Sequence, residues 1–110
     1  MKKIALTVFA FLCAVCLVLP GAWAAESVKV GVVLPLTGDQ AKFGEVEKLS
    51  FEMAAEEINA AGGINGKTME LLIEDDTGRP EVGRSVVEKL ITKDKVVLVG
   101  GGYSSSVTYA

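Results

Sequence analysis

Residues 96–110 read VVLVGGGYSSSVTYA: four aliphatic residues that break into three glycines, a tyrosine and three serines. Residues 96–99 have no polar interruption, the pattern of a strand buried on both faces of a parallel sheet. Gly100, Gly101 and Gly102 then permit a sharp turn and the close approach of another group. Ser104, Ser105 and Ser106 can each cap a helix or exchange hydrogen bonds at its start. In an open α/β sheet, ligands sit at the carboxyl ends of strands, where unpaired N–H groups at a helix start favour an anion. The stretch therefore predicts strand, turn and helix start. Its leading reading is a carboxylate-binding turn, and an ordinary capped helix is the alternative. A nucleophile elbow fits poorly, because Ser106 stands where the last glycine of G-x-S-x-G belongs and the chain has no histidine to act as base. A Walker loop would need a lysine after its last glycine, and Tyr103 is there.

The chain starts with Lys2 and Lys3, an uncharged apolar core over residues 4–19, a break at Pro20 and Gly21, and Ala22-Trp23-Ala24. Those are the n-region, h-region and A-x-A site of a cleavable signal peptide over residues 1–24, with cleavage between Ala24 and Ala25. The core is short for a membrane span, which takes about 20 residues. Both cysteines, Cys13 and Cys16, fall inside this leader, so the part after it has no thiol, disulfide or zinc thiolate. All 14 acidic residues but only nine of the 11 basic ones follow Ala24, giving residues 25–110 a net charge of −5. An acidic, evenly mixed surface argues against nucleic acid as partner. No cofactor and no metal is implied, and export to the periplasm is the frame.

Residues 27–36, SVKVGVVLPL, predict a first strand closed by Pro35, with Thr37-Gly38-Asp39-Gln40 as a turn at its carboxyl end. Residues 41–61 predict a long helix whose stripe of Val46, Leu49, Met53, Ala54, Ile58 and Ala61 faces the sheet, with Gly62 and Gly63 ending it. Residues 68–74, TMELLIE, alternate Met69, Leu71 and Ile73 with wetter positions, as in a strand near a sheet edge. Asp75 and Asp76 follow and are read as positioning backbone. Pro80 opens a second helix over residues 80–94, with Val82, Val86 and Leu90 flanked by Val87 and Ile91 as its buried stripe. The order strand, helix, strand, helix, strand, helix start, with crossovers this long, predicts an incomplete parallel doubly wound α/β sheet with right-handed connections, its third strand an open apolar edge.

Three segments, VGVVLPLTGDQAKFGE, EEINAAGGINGKTMELLIEDDTGRPE and VVLVGGGYSSS, cover nearly all of residues 28–106. In this order they resemble the N-terminal portion of the leucine/isoleucine/valine-binding proteins, the solute receptors of branched-chain amino-acid ABC transporters with the type I periplasmic binding fold. The resemblance implies a two-lobed protein that closes on a small ligand, with residues 25–110 as part of the N-terminal lobe. It implies that Ser104 holds the amino-acid carboxylate and that Phe43 lines the pocket, with Tyr103 and Ser105 in the same ligand-binding set. Phe43 has an alternative role as a staple for the first helix. Gly78 and Tyr103 stand where relatives carry a disulfide, and Arg79 stands where an aspartate often caps the second helix. The implied function is capture of an amino acid, branched-chain by resemblance, for an ABC permease. A ligand-sensing domain of the same fold and a secreted serine hydrolase are the alternatives.

Overall fold

The computed structural model describes residues 26–110. The expected signal peptide and its expected cleavage site, the Ala24–Ala25 bond, lie outside the described residues. The elements follow the expected order: β1 (Ser27–Leu34), α1 (Ala41–Ala60), β2 (Thr68–Asp75), α2 (Pro80–Thr92), β3 (Leu98–Gly101) and the short α3 (Ser105–Thr108). All strand pairs are parallel and the sheet order is β2-β1-β3. Central β1 is therefore the most buried strand, as its run of valines predicts.

The pleat sends alternate β1 residues to opposite faces. Val30, Val32 and Leu34 form a buried cluster on one face, where Met69, Leu71 and Ile73 of β2 and Phe51 of α1 pack against them. Burying side chains of this size contributes about 1.5–3 kcal/mol each. Gly31 and Val33 face the other way. A Cβ at Gly31 would lie 2.9 Å from Leu90 Cδ1 of α2, and Lys89 of α2 pairs with Glu74 on the same face of β2. The two helices thus cover opposite faces, the doubly wound arrangement expected.

Three expectations need correction. First, the stripe expected to bury α1 points outward: Val46, Leu49 and Met53 are 61, 54 and 62% exposed. The helix turns Gly44, Phe51 and Ala55 to the sheet instead. Gly44 fits where any Cβ would run into the Pro35 carbonyl. At the other end, the Asn59 amide donates to the Met69 carbonyl at 2.9 Å and accepts from Met69 N–H at 2.7 Å. Close packing at one end and an amide clamp at the other fix the rotation of the helix against its apolar pattern.

Second, β3 is displaced toward the glycines. Leu98 pairs with Val30 and Gly101 with Val33, so Gly100 and Gly101 belong to the ladder, while Val97 and Leu98 are exposed at the open edge. Third, Ile91 of α2 is exposed. Gly83 and Leu90 are buried in that helix, and Val82, Val86 and Val87 are half-buried.

Candidate functional site

The carboxyl ends of the three strands form one rim. Its first two loops are tied together by Asp75, the last residue of β2. The Asp75 carboxylate accepts from Leu36 N–H at 2.8 Å, Thr37 N–H at 3.3 Å, the Thr37 hydroxyl at 2.6 Å and Thr77 N–H at 2.8 Å. Burial pushes its pKa up, but the Thr37 hydroxyl and the Thr77, Leu36 and Thr37 N–H groups outweigh it and hold the carboxyl below its ordinary value. The neighbouring Asp76 is buried and accepts from Gly78 N–H at 2.7 Å. This holds Thr77 and Gly78 in the left-handed region at φ 55° and 70°. Both aspartates position backbone, as their sequence predicts. Arg79 makes no cap for α2, and its guanidinium pairs with Glu81 instead.

The third loop leaves β3 through Gly101 and Gly102, at φ 98° and 84°. A side chain at Gly101 would collide with the Val33 carbonyl, and that same carbonyl accepts from Gly102 N–H at 2.8 Å. The turn therefore begins at Gly102, two residues later than the glycine run suggests. Tyr103 then turns its ring onto Phe43, with centroids 5.1 Å apart and planes 13° apart. This stack ties the first turn of α1 to the loop after β3.

Ser104 precedes α3 in extended backbone, φ −88° and ψ 130°, yet its side chain makes no capping bond. Its hydroxyl shares a 2.8 Å hydrogen bond with that of Ser106. The Ser104 carbonyl carries the turn, accepting from Val107 N–H, Thr108 N–H and the Thr108 hydroxyl. Among the described residues, the N–H groups of Ser104, Ser105 and Ser106 have no acceptor. Val107 anchors the turn from below: it is buried and sits over Gly83 of α2, where a Cβ would come within 2.5 Å of Val107 Cγ1.

The rim thus brings Phe43, Tyr103, Ser104 and Ser105 to one side of the molecule. An open cleft of about 310 Å³ lies beside Tyr103, lined by Glu47, Ser50, Phe51, Gly101 and Gly102. Neither Phe43 nor Ser104 lines it. Glu47, Ser50 and Phe51 were not read as site residues. They follow Phe43 at helical spacings of four, seven and eight, so the 3.6-residue period carried the signal. A second cavity, about 380 Å³, lies on the α2 face of the sheet among Val33, Val87, Val99 and Val107. Among the described residues, no cluster of three metal-ligating side chains occurs.

The sequence model of the periplasmic binding protein family matches residues 27–110. The Leu/Ile/Val-binding protein homolog 2 of Brucella abortus (strain 2308) is 41% identical over 108 residues, covering 98% of this chain and 28% of that protein. An amino acid binding protein of Pseudomonas aeruginosa is 42% identical over 85 residues, covering 77% of this chain and 23% of the relative. Among solved structures, the branched-chain amino acid transporter substrate binding protein LivJ from Streptococcus pneumoniae, in complex with isoleucine, superposes with a TM-score of 0.73. It is 35% identical and covers 76% of this chain and 24% of that one. The chain therefore spans 28% or less of the length of these proteins.

Proposed function

The chain belongs to the periplasmic binding protein family, and from that premise we propose that it supplies one wall of a receptor for a branched-chain amino acid. The receptor is exported through a signal peptide over residues 1–24 that is cleaved between Ala24 and Ala25. It works in the periplasm, handing its ligand to an ABC permease. The Ser104 hydroxyl and the N–H groups of Ser105 and Ser106 receive the ligand carboxylate, and the Phe43–Tyr103 stack flanks its aliphatic side chain.

The observation that carries this reading is that Ser104, in the N-cap position, makes no capping bond to a backbone N–H of the helix. A serine there normally accepts from a first-turn N–H, whereas here the Ser104 hydroxyl bonds to that of Ser106 and the first-turn N–H groups of Ser105 and Ser106 are left to an outside acceptor. The site is proposed to bind and release without bond-breaking chemistry, since Ser104 and Ser106 bond to each other and the chain has no histidine to deprotonate either.

The test is calorimetry on a chimera in which residues 27–110 replace the matching segment of the Brucella relative. A charge-assisted hydrogen bond contributes about 1.5–3 kcal/mol. Ser104→Ala is therefore expected to weaken leucine binding roughly 10–100-fold. Unchanged affinity would leave the turn without a carboxylate role.

A further inference from the structure

The outward face of α1 carries an ordered pattern that neither the sheet nor the rim uses. Lys42, Val46, Leu49, Met53, Glu56 and Ala60 recur at alternating spacings of four and three, the a/d seam of a two-stranded coiled coil. All six are exposed. Single exposed apolar side chains are ordinary, but three in seam register at the centre of a solvent-facing helix form a continuous docking stripe.

The charges at its ends select the occupant. Lys42 and Glu56 lie seven residues to either side of Leu49, and among the described residues neither has an ion-pair partner, whereas nearby Lys48 is already paired with Glu52. We propose that α1 is a self-association surface for a second copy of this chain, in an antiparallel, two-fold arrangement centred on Leu49. In that arrangement Leu49 meets Leu49, Val46 and Met53 of each copy pack beside that contact, and Lys42 of each copy faces Glu56 of the other, twice by symmetry. A parallel pairing would put Lys42 on Lys42 and Glu56 on Glu56, like charges opposed at both ends. Antiparallel pairing also opposes the two helix dipoles favourably. One helix per copy falls short of the roughly 1,000 Å² that a permanent interface clears, so the dimer is a weak, concentration-dependent one.

Sedimentation velocity from micromolar to millimolar concentration, on the chain purified as its cell produces it, tests this. The native chain is expected to pass from monomer to dimer, and L49E to stay monomeric with an unchanged circular dichroism spectrum. K42E is expected to dimerise at least about tenfold more weakly, and K42E/E56K to recover. Peroxide oxidation of exposed Met53 is expected to slow as protein concentration rises. A native monomer throughout, a dimer that survives L49E, or a double reversal that fails to recover would overturn the proposal. So would Met53 protection independent of concentration, which would assign the stripe to cover within one chain.

Discussion

Phe43 and Tyr103, distant in sequence, lie ring on ring with centroids 5.1 Å apart, joining the first turn of α1 to the loop after β3. Both rings remain partly open to solvent, at 55% and 39% exposure, so the pair shapes a surface more than it fills a core. Such a stack contributes about 0.5–1.5 kcal/mol. Phe43→Ala is therefore expected to lower stability by about 1 kcal/mol or less and to weaken the near-ultraviolet circular dichroism of Tyr103. In the chimera, the ranking of leucine, valine and phenylalanine is expected to change. A large loss of melting temperature with an equal affinity loss for every ligand would make Phe43 a structural residue.

Asp75 gives the rim a defined response to acid. Its hydrogen bonds hold its folded pKa below the ordinary carboxylate value of about 3.9. The stability it contributes is therefore complete above that value and is lost as pH falls through the lower, folded pKa. Asp75→Ala, which leaves Leu36 and Thr77 N–H without an acceptor, is expected to cost about 2 kcal/mol at neutral pH. It should also flatten the fall in melting temperature between pH 5 and pH 2. A variant with the native acid dependence would show that the clamp does not set it.

The order and type of the elements were legible because they rest on local pattern: an unbroken apolar run in β1, alternation in β2, Pro80 at the start of α2. The facing of α1 was not, because hydrophobic spacing pointed one way and tertiary fit the other. Nothing local announces that Gly44 must slide against the Pro35 carbonyl or that Asn59 will clamp Met69. The placement of β3 failed for a related reason. Gly100 and Gly101 read as a turn, yet both lie in the ladder, and at Gly101 the missing side chain serves close approach to Val33. At the rim, the serines and Phe43 were legible from the motif, but the Phe43–Tyr103 stack is a long-range contact that no periodicity encodes.

Val107 and Gly83 set the height of the serine turn. A Cβ at position 83 would come within 2.5 Å of Val107 Cγ1, and valine is stiff about χ1, so relief requires α3 to move. Gly83→Ala is expected to cost about 1–3 kcal/mol through overpacking, despite the gain of up to about 1 kcal/mol that alanine brings to a helix interior. Adding Val107→Ala is expected to recover most of that loss by freeing the same space. Thermal melts of the two single variants and the double variant measure the coupling, and strictly additive effects would show that the contact is not what limits the turn.

The rim residues stand on one open wall, and the cleft beside Tyr103 is open as well, whereas small-ligand sites usually enclose 70–90% or more of the ligand, on the order of whole-surface burial. One carboxylate anchor of about 1.5–3 kcal/mol does not offset the roughly 4 kcal/mol or more of lost translational and rotational freedom. Partial burial of an aliphatic side chain against the Phe43–Tyr103 stack adds at most about 1.5 kcal/mol, half of full burial. The sum is favourable by at most about 0.5 kcal/mol, well short of the roughly −4.1 kcal/mol that a dissociation constant of about 1 mM requires. Calorimetric titration of residues 25–110 with leucine is therefore expected to give no saturable heat in the micromolar range, while the chimera binds. Micromolar binding by residues 25–110 alone would show that one wall is a sufficient site and would overturn the two-walled reading.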